Sequence, residues 1–289
     1  MKEKKKTDKW LAAGLLFVLC AAVCLLIRKG SLHNYDIVCL GDSIIGNERG
    51  NTSITALLAG QTGKKVYNGA FGGTTMGRRD LENRGAAVSD HASMSEIVRA
   101  IVLKDFRVQN GNINRGFPMD YFPESMRGLG KVNWDQVKIL VIEHGINDYL
   151  SGVPLSNPED PYDEYTFAGA LRSVLTQLKS AYPETEILLV TPSYCWFLHE
   201  KKTCEEVDYG YGVLEDYVNL ELEIASKLEV MVLDNYHDSE IGKSGTFEEW
   251  EAYTMDGLHL NEAGRRLTAE RIIQKLAESE AGDRKESLH

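Results

Sequence analysis

Short apolar runs and longer amphipathic stretches alternate along the chain from residue 35 onward. Each apolar run spans four to seven residues, and most are bounded by Gly, Pro or Asn. Apolar runs without polar alternation suit a parallel sheet that is covered on both faces. We therefore predict five parallel strands, at Tyr35–Leu40, Lys65–Asn68, Val137–Glu143, Glu186–Thr191 and Val230–Leu233.

Between the predicted strands, apolar residues recur with helical spacing. One stripe consists of Phe167, Leu171, Val174, Leu175 and Leu178, and a second of Leu214, Val218, Leu222 and Ala225. Asn261 is a candidate N-cap for a final helix, because its side chain can accept a hydrogen bond from a free N–H group of the first turn. This β–α alternation predicts an α/β fold, a three-layer α/β/α sandwich around a five-stranded parallel sheet.

The connection between the second and third predicted strands is unusually long, at about sixty residues. Ser93 and Glu96 have the spacing of a capping box, and apolar residues follow them on one helical face. The next segment, residues 110–130, is rich in Gly, Pro, Asn and aromatic residues and is interpreted as a long loop. We treat residues 78–134 as an insertion that is either a lid over the ligand-binding edge or a purely structural surface excursion.

Residues 10–27 form an apolar run of eighteen residues without a charge, close to the minimum that spans a bilayer. Five lysines precede the run, which predicts a cytoplasmic N-terminus and an extracytoplasmic remainder. An uncleaved transmembrane signal anchor is our prediction. A cleaved signal peptide is the alternative, although no small-x-small site follows the run. The segments are a cytoplasmic basic tail (1–9), the anchor (10–27), a linker (28–34), one domain (35–278) and a polar tail (279–289).

Charge and cysteine content limit the classes of partner. Residues 1–29 carry a net charge of +5, whereas residues 30–289 carry −16. An acidic domain repels phosphate backbones, so nucleic acid is not an expected partner. Cys195 and Cys204 are close in sequence, and the sequence is compatible with either a disulfide or two free thiols. No Cys and His spacing is typical of a zinc site, and no metal is expected.

Four short motifs lie at positions where a ligand site is expected. Gly41-Asp42-Ser43, Asn68 to Gly73 and Gly145 to Asp148 each accompany the end of a predicted strand, and Asp256 to His259 precedes the final helix. In open α/β sheets, ligands bind at the carboxyl ends of the strands. The motifs are therefore predicted to meet at one edge of the sheet.

The residue types in these motifs suit nucleophilic catalysis. The Ser43 hydroxyl attacks a carbonyl only when a base removes its proton, and His259 is the best candidate base. Asp256 lies three residues earlier and is placed to orient the imidazole. The oxyanion formed by the attack needs preorganised donors, for which we assign the Ser43 N–H, the Gly73 N–H and the Asn147 carboxamide.

Each signal alone also has an ordinary structural interpretation. Gly-Asp-Ser and Gly-x-Asn-Asp are common turn sequences, and Asp-Gly-Leu-His alone is compatible with a loop before a helix. A packing role is favoured for His144, and a structural role for Asp148. The remaining histidines lie in polar or loop contexts with no partner pattern: His33, His91, His199, His237 and His289.

Together these motifs resemble those of the SGNH hydrolases, the GDSL-type esterase/lipase superfamily. The four sequence blocks of that superfamily are represented by Ser43, Gly73, Asn147 and His259, and the resemblance covers about residues 35–277. Ile44 stands where the first block usually has Leu. The resemblance implies a flavodoxin-like fold, no cofactor, and the catalytic and oxyanion-hole roles assigned above. The long segment after the second block departs from the family pattern and affects the expected substrate pocket.

The expected function is that of a membrane-anchored, extracytoplasmic serine esterase. Its expected substrates are short acyl esters, chiefly acetyl, of a carbohydrate or cell-envelope glycan. A lipid or lysophospholipid esterase, or an acyltransferase, would use the same residues. From a different class, a non-catalytic glycan-binding module is the remaining alternative. The sequence does not predict the oligomeric state.

Overall fold

A computed structural model of the protein describes residues 32–79, 92–112 and 119–286. Five strands form a parallel sheet, and all five correspond to predicted apolar runs. A short antiparallel hairpin, β5–β6, lies outside this sheet. The strands are β1 (Ile37–Gly41), β2 (Val66–Asn68), β3 (Ile139–Glu143), β4 (Glu186–Val190), β5 (Trp196–Phe197), β6 (Lys202–Thr203) and β7 (Met231–Leu233).

The order of the parallel strands is β2-β1-β3-β4-β7, the doubly wound order of flavodoxin-like sheets. Within the described part of the chain, the α-helices are α1 (Ser43–Gly46), α2 (Ile54–Thr62), α3 (Met94–Leu103), α4 (Arg107–Asn112), α5 (Phe122–Leu129), α6 (Ile146–Ser151), α7 (Phe167–Ala181), α8 (Leu214–Lys227), α9 (Trp250–Tyr253) and α10 (Glu262–Glu286). Short 3-10 helices cover Trp134–Gln136 and Phe247–Glu249.

Helices cover the sheet in two groups. Helix α2 packs against α10, whereas α3 packs against α7 and α7 against α8. Right-handed crossovers that leave β1 and β3 in opposite directions place these groups on opposite faces of the sheet. Strands β1 and β3 are buried along their whole length, which explains why their sequences are continuously apolar.

The register of the parallel sheet aligns the carboxyl ends of β1, β3 and β4. Gly41, the last residue of β1, pairs with Glu143, the last residue of β3, and Glu143 pairs with Val190 at the end of β4. The turns that follow β1 and β3 therefore start beside each other. This is the edge at which the sequence motifs were expected to meet.

The insertion differs in part from its prediction. Ser93 caps α3 as expected, with Oγ accepting from the Glu96 N–H at 3.4 Å, while the Glu96 carboxylate pairs with Arg78 and Arg99. Residues 110–130 were interpreted as a long loop, and this was wrong for Phe122–Leu129, which form α5. Its Pro123 lies in the first turn, where a helix tolerates proline because that N–H has no intrahelical partner.

Several predicted segments lie partly or wholly outside the described residues: the basic tail, the apolar run, part of the linker, parts of the 78–134 insertion and the end of the polar tail. His91 and His289 also lie outside them. The apolar run at residues 10–27 precedes residue 32, so the transmembrane anchor stays a prediction. Among the described helices, none has both the length and the apolar character needed to cross a bilayer. Helix α10 continues through Glu286 and so includes most of the segment assigned to the polar C-terminal tail.

Candidate active site

Ser43 occupies the turn between β1 and α1. Asp42 is the N-cap of α1, and its Oδ1 accepts a hydrogen bond from the Ile44 N–H at 2.9 Å. This bond turns the chain sharply out of the strand, so Ser43 is the first helical residue. The Ser43 side chain is half-buried at the carboxyl edge of the sheet.

Asp256 and His259 lie on a tight loop before α10. Asp256 Oδ1 accepts from the Leu258 N–H at 3.1 Å and from the His259 N–H at 2.7 Å. Gly257 has a φ of +85°, and a Cβ at this residue would lie 2.2 Å from the Trp196 carbonyl oxygen. Only glycine suits both the conformation and the contact. The loop therefore presents the carboxylate and the imidazole on the same side.

The structure brings Ser43, His259 and Asp256 into one hydrogen-bonded chain. His259 Nε2 lies 3.1 Å from Ser43 Oγ, and His259 Nδ1 lies 2.7 Å from Asp256 Oδ2. A carboxylate at Nδ1 favours the tautomer with the proton on Nδ1, which leaves Nε2 free to accept the serine proton. Burial raises the pKa of Asp256, but the hydrogen bonds from His259 and Leu258 outweigh it and hold that pKa below its usual value. Asp256 is therefore ionised at neutral pH.

The three predicted oxyanion donors lie on turns after three neighbouring strands. No described residue accepts a hydrogen bond from the backbone N–H of Ser43 or Gly73. Gly73 has a φ of +76° and open space where a Cβ would be. Asn147 lies close enough to Asp42 to help lower the pKa of that carboxyl, yet its buried Nδ2 has no acceptor in hydrogen-bond geometry among the described residues. The N–H groups of Ser43 and Gly73 thus have no acceptor among the described residues, whereas the Asn147 amide is buried beside Asp42.

Asp148 connects two of the motifs. Its carboxylate accepts from the Met76 N–H at 2.8 Å and from the Gly77 N–H at 2.9 Å. Burial raises the pKa of Asp148 to about 7, although both N–H groups oppose this. The contacts tie α6, which carries Asn147, to the loop that carries Gly73. They agree with the structural role favoured for Asp148.

A buried carboxyl pair beneath Ser43 was missed by the sequence reasoning. Glu143 lies fully buried beside Asp42, and neither of its carboxyl oxygens has a donor among the described residues. Burial and the neighbouring Asp42 raise the pKa of Glu143 well above its usual value, and burial raises that of Asp42 to about 6. Of the two carboxyls, Glu143 is therefore the one whose protonated form is favoured more strongly. The signal was a glutamate ending an otherwise apolar strand.

His237 was expected to have no partner, and this was wrong, because two carboxylates contact its ring. His237 Nδ1 lies 2.8 Å from Asp234 Oδ2, and His237 Nε2 lies 3.4 Å from Glu215 Oε1. The Asp234-x-x-His237 spacing equals that of Asp256 and His259, and this was the signal that could have identified it.

Other candidate groups are accounted for without a metal. His144 is buried with no partner on either ring nitrogen among the described residues, and burial lowers its pKa to about 3, so it packs as a neutral ring. Cys195 and Cys204 are buried free thiols, with Cys204 Sγ accepting from the Cys195 N–H at 3.5 Å. Across residues 32–79, 92–112 and 119–286, no group of three or more His, Cys, Asp or Glu side chains could hold a metal ion.

Comparison with known proteins identifies relatives of the fold and then the family. Similar solved structures include a protein from Lactobacillus plantarum (21% identity, TM-score 0.60, 85% of this chain and 98% of that one). A carbohydrate acetylesterase from Sinorhizobium meliloti matches at 15% identity (TM-score 0.50, 83% and 97%). The aryl esterase of M. smegmatis matches at 16% identity (TM-score 0.51, 84% and 98%). At these identities the likeness concerns the fold alone.

No curated protein matches the chain. The sequence model of one family does match, and it covers residues 39–267, which include all four motifs. The chain therefore belongs to the GDSL-like lipase/acylhydrolase family.

Proposed function

We propose that this protein is a serine hydrolase of carboxylic esters, with Ser43 as nucleophile, His259 as base and Asp256 as the residue that orients and stabilises the imidazolium. The observation that carries the proposal is the hydrogen-bonded chain from Asp256 through His259 to Ser43, with heavy-atom distances of 2.7 and 3.1 Å. Membership of a family that typically hydrolyses esters supports it.

The first half of the reaction follows from the positions of the protons. Ser43 Oγ attacks the ester carbonyl while His259 Nε2 takes the hydroxyl proton, and the imidazolium is stabilised by Asp256. His259 then gives this proton to the alcohol oxygen as the C–O bond breaks, which leaves an acyl group on Ser43. In the second half, His259 takes a proton from water as the water attacks the acyl-enzyme, and returns it to Ser43 Oγ as the acyl C–O bond breaks, which releases the acid.

The carbonyl oxygen becomes negative in both halves of the reaction. The N–H groups of Ser43 and Gly73 and the Asn147 amide are the donors for this charge, and within the described part of the chain nothing accepts from either N–H group. Donors fixed before the reaction favour the transition state because the protein does not have to reorganise around the new charge.

The proposed substrates are short acyl esters, chiefly acetyl, of a carbohydrate or cell-envelope glycan. The predicted N-terminal anchor supports this class of substrate because it would hold the acidic domain at the extracytoplasmic face of the cell membrane. Likeness of fold to a carbohydrate acetylesterase is compatible with it. Transfer of the acyl group to another hydroxyl would need only that an alcohol replace water in the second half.

Hydrolysis of aryl acetate, butyrate and octanoate by the full-length protein in detergent tests the reaction and the acyl preference. We expect turnover that falls with chain length, disappears in Ser43→Ala, and is accompanied by labelling of Ser43 with a serine-directed phosphonate. A preference for octanoate would support the lipid esterase. Absence of both turnover and labelling would support the non-catalytic glycan-binding module.

The proposed location is tested separately from the chemistry. An anchored protein remains with membranes after carbonate extraction, and its domain is degraded by protease added to intact cells. Protection from that protease would contradict the extracytoplasmic location. A mature chain that begins near residue 30 would instead support a cleaved signal peptide.

A further inference from the structure

The loop after β2 contains two consecutive glycines, Gly72 and Gly73. Because glycine lacks a Cβ, neither residue restricts its own backbone, and the direction of the Gly73 N–H depends on the ψ of Gly72 and the φ of Gly73. Gly73 itself has open space around its Cβ position. The Thr74 N–H and hydroxyl both donate to the Phe71 carbonyl oxygen, at 3.4 and 2.6 Å, and so enclose the two glycines in one turn. A group that fixes this turn relative to Ser43 therefore also fixes the position of the Gly73 N–H.

Tyr121 contacts this loop from the insertion. Its Oη accepts a hydrogen bond from the Gly72 N–H at 3.0 Å, and its O–H donates to Asn47 Oδ1 at 3.1 Å. Asn47 is the residue that ends α1, the helix begun by Ser43. A Cβ on Gly72 would lie 2.5 Å from Asn47 Oδ1, so the contact is close. The phenol thus bridges the Gly73 loop and the helix of the nucleophile.

Arg49 holds the Tyr121 ring from the other side. Its guanidinium carbon lies 3.9 Å from the ring centroid, within the range of a cation–π interaction. The same guanidinium donates to three carbonyl oxygens of the segments that Tyr121 bridges, those of Gly46 at 3.0 Å, Asn68 at 3.2 Å and Ala70 at 2.7 Å. Since all these bonds fix the guanidinium, it gives the ring a rigid support.

We propose that Tyr121 is a positioning residue for ester hydrolysis, whose hydroxyl holds the Phe71–Gly72 peptide against α1 and so places the turn from which the following Gly73 N–H meets the oxyanion. This inference rests on the proposed function. It gives part of the 78–134 insertion a role at the active site. If the Tyr121 contacts only stabilised the fold, their loss would not weaken binding of the transition state more than binding of the substrate.

Tyr121→Phe tests the role of the hydroxyl, because it keeps the ring over Arg49. We expect kcat for aryl acetate to fall about two- to tenfold, the rate equivalent of one hydrogen bond worth roughly 0.5–1.5 kcal/mol, with little change in KM. The inhibition constant of a trifluoromethyl ketone, whose adduct places an oxyanion at the same donors, is expected to rise by the same factor.

Tyr67→Phe is the matched control. The Tyr67 O–H donates to the Ser125 carbonyl oxygen of α5 at 2.7 Å, so this variant loses a similar bond to the same helix without touching the Gly72–Gly73 loop. Both variants are expected to have similar thermal midpoints, whereas kcat falls only in Tyr121→Phe. Asn47→Ala, which removes the acceptor of the Tyr121 proton, should lower kcat by about two- to threefold, somewhat less than the loss of the direct bond.

Each outcome decides one of two questions. Wild-type kcat in Tyr121→Phe, or equal losses in Tyr121→Phe and Tyr67→Phe, would overturn the positioning role while leaving the serine mechanism intact. If Tyr121→Phe does not fold, a wild-type inhibition constant in Asn47→Ala overturns the role and a raised one supports it. Lack of Ser43-dependent turnover in the wild-type protein would instead refute the proposed function itself.

Discussion

Two loops of this protein build the same Asp-x-x-His arrangement, and only one of them contacts a serine. In both, Oδ1 of the aspartate accepts the histidine N–H and the N–H before it, and Oδ2 lies against Nδ1 at 2.7 or 2.8 Å. The histidine side chains are similarly exposed, at 31% for His259 and 36% for His237. Local geometry and exposure therefore do not distinguish the pairs.

The difference lies at the other ring nitrogen. His259 Nε2 faces the Ser43 hydroxyl, whereas His237 Nε2 faces the Glu215 carboxylate. Burial lowers the pKa of His237, but the flanking Asp234 and Glu215 outweigh it, and the net shift of that pKa is upward. A histidine held between two carboxylates favours its protonated form, which is a salt-bridge partner and not a base. The role of each Asp-x-x-His pair is therefore determined by its tertiary neighbours and not by the motif.

Removing each imidazole is the strongest way to test this comparison. His259→Ala is expected to lower kcat about 10⁴- to 10⁶-fold, as much as Ser43→Ala, because nucleophile and base act as a unit. His237→Ala is expected to leave kcat unchanged. Aryl acetate kinetics on the three variants provide the measurement. Equal losses in His259→Ala and His237→Ala would mean that the second pair also takes part in the reaction.

Replacing each aspartate with its amide should give a smaller effect. In Asp256→Asn the imidazole loses its charged partner and the preference for the correct tautomer, so kcat should fall. The fall is expected to be roughly 10- to 100-fold smaller than the fall in His259→Ala. Asp234→Asn is the matched control and should retain turnover. A wild-type kcat in Asp256→Asn would show that His259 is oriented by other groups.

The next test concerns the oxyanion donors around Ser43. Asn147→Ala is expected to lower kcat about 10²- to 10³-fold with little change in KM, because that amide meets charge that exists only during the reaction. A turn residue would instead cost about 1 kcal/mol of stability and leave kcat unchanged. Thermal midpoint and kcat measured on one preparation separate these outcomes.

The smallest expected effect is the pH dependence of the stability that the Asp234–His237 pair contributes. Because the folded-state pKa of His237 is raised, its stabilisation is fully present below the unfolded pKa of about 6.5 and is lost as pH rises through the folded pKa. Wild type should therefore exceed His237→Ala in stability at pH 5.5 and approach it near pH 9. The exposed site limits the difference to less than about 1 kcal/mol. Urea midpoints across this range check the sign, and a gap that grows with pH would contradict it.

Sequence predicted the parts of the molecule that depend on neighbouring positions along the chain. The parallel strands were predicted because burial on both faces makes each one largely apolar. Three of the four motifs were located because each follows a strand, and the fourth because it precedes the final helix. Helix α5 was missed because its Gly and Pro content resembles a loop. The Gly72 partner of Tyr121 and the Glu215 partner of His237 were missed because they are 49 and 22 residues away, whereas Asp234 has a local spacing to His237 that was overlooked. Contacts at such separations leave no periodic signal.

The β5–β6 hairpin supports the loop that carries His259. The Trp196 N–H donates to the Gly257 carbonyl at 2.9 Å, so the loop rests on β5–β6, which shares no strand with the main sheet. The tip of the hairpin, residues 199–202, is exposed. Insertions or substitutions there are expected to leave the fold intact, and those that shift Trp196 would also shift the loop that carries His259. Both natural divergence and directed evolution thus have a place where activity can drift while stability is preserved.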